Sequence, residues 1–271
     1  MKKNKSVLLS APYIIFMVIF TLIPLGVVGY YALTDPDTGA FSLRNIRELG
    51  MYMPVLWQSI LYSLVSAFIC LLLGYPVAYY IAQCKPITQK LLYMLVMLPM
   101  CMSFLLRTLA WVGLLQDTGI INNFLDWIGI GRIRMIRTPG AVILGMVYNY
   151  LPYMILPLYA TIVKIDKRLI EAAEDLGCKP SQVFAKVTLP LSMPGILSGI
   201  TMVFVPAVST FYISQKLGGT DTVLIGDVIE RLFKQGNNAN LGAALSLVLM
   251  ALVFVCTGIM NRFGGDEEVI V

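Results

Sequence analysis

The sequence predicts an all-α integral membrane protein of six transmembrane helices, and three observations carry that prediction. The 271 residues are 58% hydrophobic and only 13% charged, with a mean hydropathy of +0.79. Soluble domains hold roughly 45–50% apolar and about 25% charged residues, and much of their surface must face water. Apolar runs then recur near 8–33, 56–82, 91–115, 140–163, 191–212 and 240–260, each close to the ~20 residues that cross about 30 Å of hydrocarbon. The third observation is the placement of the basic residues.

The first run follows Lys2, Lys3 and Lys5. Its apolar stretch is longer than the core of a signal peptide and no small-residue cleavage site follows, so it reads as a retained helix. With the N-terminus inside, the inner segments hold Lys2, Lys3, Lys5, Lys85, Lys90, Lys164, Lys167, Arg168, Lys179, Lys186 and Arg262. The outer ones hold Arg44, Arg47, Arg132, Arg134, Arg137, Lys216, Arg231 and Lys234. The excess lies on the inside, as the positive-inside rule requires, and both termini are expected in the cytoplasm. The same rule accounts for the net charge of +5. No Lys/Arg stripe or RNA-binding signature suggests nucleic acid.

The outer stretches 34–55 and 116–139 mix Gly, Asp and Asn with Phe41, Met51, Phe124 and Trp127, a composition that suits short interfacial helices. Tyr30, Tyr31, Tyr79, Tyr80, Trp111 and Trp127 sit near span ends, as in aromatic belts. Residues 1–271 read as one membrane domain with no soluble part and no obvious internal repeat.

Chemistry is scarce. There is no histidine, and Cys70, Cys84, Cys101, Cys178 and Cys256 form no C-x-x-C pair. No metal site, catalytic constellation or cofactor is expected in this chain. A phosphate-binding G-x-x-x-x-G-K-[ST] loop is also missing.

The informative segment is 164–194, cytoplasmic in this topology and longer than a turn requires. Asp166 is placed to cap a helix with Leu169, Ile170, Ala173 and Leu176 along its apolar side. Gly177 stands where a left-handed residue ends such a helix. Pro180 and Ser181 open a second helix, with Phe184, Val187 and Leu191 on one face. Composition alone leaves two readings open, a loop between spans or a helix–turn–helix across the inner mouth.

Glu171-Ala172-Ala173, then Gly177, then Val187-x-Leu189-Pro190 resembles the EAA signature of permease subunits in bacterial ABC importers. Val187 departs conservatively from that pattern's isoleucine. The resemblance implies the type I (MetI-like) ABC importer permease fold, with Glu171, Ala172, Ala173, Gly177, Leu189 and Pro190 in a coupling segment that docks on a cytosolic ATPase. Arg107-Thr108-Leu109-Ala110-Trp111, Gly119-Ile120-Ile121-Asn122, Tyr150-Leu151-Pro152-Tyr153-Met154, Leu156-Pro157-Leu158-Tyr159, Pro206-Ala207, Phe211-Tyr212-Ile213-Ser214, Leu217-Gly218-Gly219 and Leu224-Ile225-Gly226 are similar to the B-type permeases of spermidine/putrescine importers. Permeases for ferric iron, thiamine or sulfate share parts of these. The likeness implies a bacterial inner membrane, a polyamine substrate, a second and different permease chain, an ATPase dimer carrying the ATP and magnesium, and an extracytoplasmic substrate-binding protein.

Arg107 is the one charge inside an apolar run, and such a residue faces a cavity or partner, or snorkels to the interface. With Trp111 it has two readings, gate or structural. No carboxylate lies inside a run, so a polycation path must use aromatic faces and mouth carboxylates. The candidates are Tyr148, Tyr150, Phe211 and Tyr212, with Asp221 and Asp227 at the outer mouth. A self-sufficient secondary transporter would want ionisable groups at midplane, and an intramembrane enzyme an activated nucleophile or acid–base pair. Neither set is present.

Overall fold

The computed structural model describes residues 12–35, 39–220, 222–234 and 238–264. They are helical nearly throughout. Among them the only extended pairing is an isolated bridge between Thr34 and Phe41. The chain forms two compact units, one of residues 1–54 with 228–252, the other of 55–227 with 253–271.

The first unit holds α1 (Pro12–Ala32), whose turn Val18–Leu22 is a π-turn. A short helix, α2 (Arg44–Glu48), runs into a 3-10 turn over Leu49–Tyr52, the short helical segment that the outer stretch 34–55 suggests. Two buried amides knit this unit together. The Asn45 Nδ2 donates to the carbonyls of Ala32 (3.1 Å) and Thr34 (2.9 Å), and the Asn240 Nδ2 also reaches Thr34 O, at 2.7 Å. Backbone oxygens just past a span end are thereby satisfied where helical bonds run out.

The second unit carries most of the remaining helices, while the chain's last helix (Ala239–Gly264) divides between the two units at residue 252. α3 (Met53–Gln83) enters it at residue 55 and continues to α4 (Pro86–Met97), which opens with Pro86 at its first position, where a missing N–H costs nothing. The run expected as one helix over 91–115 is broken. After α4 comes a 3-10 turn, Leu98–Cys101. Met102 (ψ 147°) and Ser103 (ψ 129°) are then extended before α5, Phe104–Leu115. Pro99 lacks the N–H that would continue the i→i−4 ladder, which ends the helix there. The span-length apolar segment is instead Phe104–Trp127, made of α5 and α6 (Ile120–Trp127), while Pro86–Cys101 is a separate, shorter apolar helix.

α7 (Pro139–Ile162) is the centre of this unit, with Val142, Met146, Met154 and Leu158 wholly buried. Thr138 caps it, its Oγ1 accepting from Ala141 N at 3.2 Å. α8 (Lys167–Asp175), α9 (Pro180–Leu191) and α10 (Met193–Val208) follow, with a 63° bend between α9 and α10. α10 lies along α7 because two glycines allow it. A Cβ on Gly199 would sit 2.6 Å from the Met154 Sδ, and one on Gly195 would sit 2.6 Å from the Thr161 Oγ1. Between apolar helices in lipid, such close backbone approach supplies the packing that the hydrophobic effect does not. α3 meets α7 through small side chains as well, the buried Ser66 Oγ lying 3.3 Å from the Met146 Sδ and the buried Cys70 Sγ 3.7 Å from Val147 O. α11 (Tyr212–Leu217), α12 (Ile225–Lys234) and α13 (Ala239–Gly264) complete the chain.

Among the described residues, five helices are long and apolar enough to cross a membrane, and six if α9 and α10 count as one bent span. The predicted fold class holds, with its third crossing displaced toward residue 127.

Candidate functional site

The segment 164–194 has two parts with different surroundings. The Asp166 side chain accepts from Arg168 N at 3.0 Å and starts α8. At the other end Gly177 has φ +82°, its N–H donates to Glu174 O (2.8 Å), and Cys178 N–H donates to Ala173 O (3.1 Å). This is a Schellman cap, in which the left-handed residue is glycine because a Cβ is disfavoured there. No residue of α8 is buried. Ile170 and Ala173 are half-covered, but Leu169 (50% exposed) and Leu176 (86%) are not, so the apolar side expected from spacing is mostly open. Glu171, Ala172 and Gly177 are exposed with it. A strongly two-sided helix whose leucines stay in solvent offers a face to another molecule.

α9 is the buried half. Lys179 N–H is capped by the Gln182 Oε1 at 2.9 Å, and Pro180 takes the first position. Residues Phe184–Thr188 then form a π-turn. Its wider turn shifts the inward face by one residue. Val183, Thr188 and Ser192 are buried, and Leu191, expected on that face, is 43% exposed. The Phe184 ring stands edge-on to both Tyr75 (5.5 Å) and Tyr79 (5.9 Å) of α3. The Tyr75 and Ser192 hydroxyl oxygens are 2.8 Å apart, and the Ser192 Oγ donates to Leu189 O at 2.9 Å. The Tyr75 hydroxyl is therefore the donor to Ser192. Leu189 is half-buried and Pro190 exposed. Sequence reading missed Tyr75 and Ser192, since neither belongs to the EAA pattern and the contact spans 117 residues, and it read Tyr79 only as part of an aromatic belt, whereas its ring packs on Phe184.

The second feature is an aromatic wall on α5, α7 and α11. Trp111 meets Tyr148 edge-on at 5.3 Å and Phe104 meets Tyr212 at 6.3 Å, so two ring pairs tie α5 to its neighbours. Tyr148 (37% exposed) and Phe211 (41%) keep open surface, as does Tyr153 (37%), which sequence reading did not single out. Lys216 Nζ already stands 5.7 Å from the Tyr212 ring centre, a cation–π contact within the chain. Tyr150 is different. It is 6% exposed, and its hydroxyl donates to Pro206 O at 3.3 Å, so it ties α7 to α10.

The expected mouth carboxylates separate as well. Asp221 lies outside the described residues. Asp227 is buried, and its Oδ2 accepts from Leu224 N at 2.9 Å, which closes the N-terminal turn of α12. Arg107 is buried within the chain, at 6% exposure.

A family model described as binding-protein-dependent transport system inner membrane component matches residues 6–264. The spermidine/putrescine transport system permease protein PotB of Escherichia coli K12 is 38% identical over 243 residues, covering 86% of this chain and 88% of that protein. PotB of Haemophilus influenzae is 41% identical over 250 residues, covering 88% and 87%. Among solved structures, a chain of a bacterial ABC transporter that imports the acidic polysaccharide alginate aligns with TM-score 0.77 at 21% identity, covering 98% of this chain and 97% of that one. A chain of the MetNI methionine ABC transporter aligns with TM-score 0.60 at 18% identity, covering 80% and 96%.

Proposed function

The chain belongs to the binding-protein-dependent transport system inner membrane components, and from that premise we propose that it is the permease subunit of a polyamine importer, passing spermidine or putrescine inward. The observation that carries the cargo is the likeness to PotB at 38–41% identity over more than four-fifths of both chains.

In this reading the chain makes and breaks no bonds. It carries no nucleotide-binding loop, so ATP and magnesium belong to an ATPase dimer bound at α8. A second permease chain completes the pathway, and an extracytoplasmic binding protein delivers substrate. Both termini face the cytoplasm of the bacterial inner membrane. The exposed Glu171, Ala172, Leu169 and Leu176 form the docking face. A push on α8 passes to α9, then through Phe184 and Ser192 to α3, and across the 63° bend to α10 and the core helix α7. That rigid train is what a two-state switch between outward and inward access requires. The half-exposed rings of Tyr148, Phe211 and Tyr212 suit a passing polycation, since each cation–π contact is worth ~0.5–2 kcal/mol and does not trap it.

Cells lacking this chain are expected to lose high-affinity spermidine or putrescine uptake and to keep uptake of an unrelated solute. Unchanged polyamine uptake with loss of iron or thiamine uptake would overturn the cargo and leave the importer class standing.

A further inference from the structure

Between α5 and α7 lie a cleft and an apolar ridge. The cleft, of ≈ 360 Å³, is lined by Gln116, Asp117, Arg134, Ile136 and Arg137. Both arginines are exposed, so their guanidinium groups are open to a ligand from outside the chain. Its walls are fixed from behind. Asn122 is fully buried, its Nδ2 donating to Gln116 O at 3.1 Å and its Oδ1 accepting from Ile133 N at 2.9 Å, so one side chain pins both sides. Arg137 holds a left-handed backbone, φ +61°, with its N–H donating to Leu217 O at 2.9 Å. Glycine takes that φ without strain, yet the position carries an arginine whose side chain lines the cleft. Arg132, by contrast, pairs with Asp126 at 3.5 Å. The ridge is the outer face of α6. Asn122 is buried and Ile121 packs on the core, while Ile120 (71% exposed), Phe124 (57%) and Trp127 (81%) share the opposite face at i, i+4 and i+7.

We propose that this stretch binds an acidic phospholipid of the surrounding bilayer, with the phosphate held by Arg134 and Arg137 and the acyl chains lying on Ile120, Phe124 and Trp127. A guanidinium presents paired N–H donors that match phosphate oxygens two-to-two. Two guanidinium groups face one carboxylate, Asp117, in the lining, so an anion is favoured over a zwitterion. A Trp on an exposed apolar helix face suits the depth of the headgroups. A ridge beside a cationic cleft fits a molecule that has both characters. A soluble anion would use the cleft alone, and an acidic protein surface would leave the ridge uncovered. The proposal needs only a chain seated in a bilayer and stands apart from the polyamine reading.

The test takes the complete transporter, purified in detergent and stripped of lipid, and titrates it with phosphatidylglycerol or phosphatidylcholine under native mass spectrometry. One phosphatidylglycerol per copy of this chain should bind about tenfold more tightly than phosphatidylcholine, and Arg134→Gln with Arg137→Gln should remove that preference. Arg137→Gly keeps the left-handed backbone and deletes the guanidinium, so it should lose part of the preference. Arg132→Gln should keep it. Glycerol 3-phosphate, which has the phosphate and no acyl chains, should not displace the bound lipid. Where the double variant fails to fold, Arg134→Gln and Arg137→Gly carry the test singly. No preference for the acidic lipid, a preference that survives loss of both arginines, or displacement by glycerol 3-phosphate would each overturn the proposal. If the double variant keeps its lipid and instead loses ATPase stimulation by the extracytoplasmic binding protein, the cleft is a protein contact and the proposal falls, with the importer reading intact.

Discussion

The Tyr75 hydroxyl donates a hydrogen bond to that of Ser192 over 2.8 Å, joining the middle of the helix that ends at Gln83 to the hinge residue between α9 and α10. The same Ser192 oxygen donates to Leu189 O. One short chain of hydrogen bonds thus runs from a long apolar helix into the leucine of the EAA pattern.

Tyr75→Phe and Ser192→Ala should each destabilise the purified complex by roughly 0.5–1.5 kcal/mol, the net worth of a buried hydrogen bond. The double variant should be little worse than the more damaging single one, because both remove the same contact. Uptake should fall in all three while ATP hydrolysis continues. Thermal melting, uptake and ATPase rates measure it, and fully additive melting losses would count against a shared contact.

Gly177→Asp should insert in the membrane yet fail to couple ATP hydrolysis to transport. At φ +82° a Cβ costs about 1 kcal/mol or more, and there is space around it. The effect should therefore come from a misplaced α8 and not from a clash. Glu171→Ala, which leaves the backbone alone, should do less. Reconstituted transport with a pull-down of the ATPase checks both, and wild-type transport by Gly177→Asp would show that the segment only connects two spans.

Gly199→Val should lower the amount of folded protein, because its first added carbon meets the Met154 Sδ at 2.6 Å and Met154 O at 3.3 Å. Overpacking of this kind costs ~1–3 kcal/mol. Gly258→Ala, with nothing within 4 Å of its added carbon, should be tolerated. Equal yields in a detergent-solubilised melting assay would contradict the close contact.

Tyr212→Ala and Tyr150→Phe should separate two roles that sequence reading could not. The first removes a half-exposed ring and should reduce polyamine uptake without loss of assembly. The second removes the bond to Pro206 O and should cost about 1 kcal/mol of stability, with the KM for polyamine unchanged. Steady-state uptake and melting curves on the two variants decide it.

In a cysteine-free background, single cysteines at Ser42 and Thr220 should react with an impermeant thiol reagent from outside the cell, and one at Lys167 should not. Thr220 and Lys167 are exposed in the structure and Ser42 is partly exposed, so none of the three is shielded by burial. Labelling of all three from one side would overturn the six-span topology.

The sequence by itself determined what depends on neighbours along the chain. Five of the six apolar runs fall within a few residues of the long helices because span length follows from bilayer thickness. The caps at Asp166 and Gly177 were legible because capping is decided within one turn. The helix–turn–helix that carries the EAA spacing was legible for the same reason. The tertiary structure alone decided which side of each helix meets protein. In a water-soluble helix the polar face betrays that choice, but in α3, α7 and α10 the faces toward lipid and toward protein are both apolar, so periodicity carries little signal. Hence Tyr148 stays open while Tyr150, two residues on, is buried. The joint of Tyr75 and Ser192 was likewise invisible, since it needs two residues 117 apart brought to hydrogen-bonding distance. The π-turn at Phe184–Thr188 moved Leu191 outward, and Pro99 broke the third run, because backbone bonding overrides a hydrophobic pattern wherever a donor is missing or a turn widens.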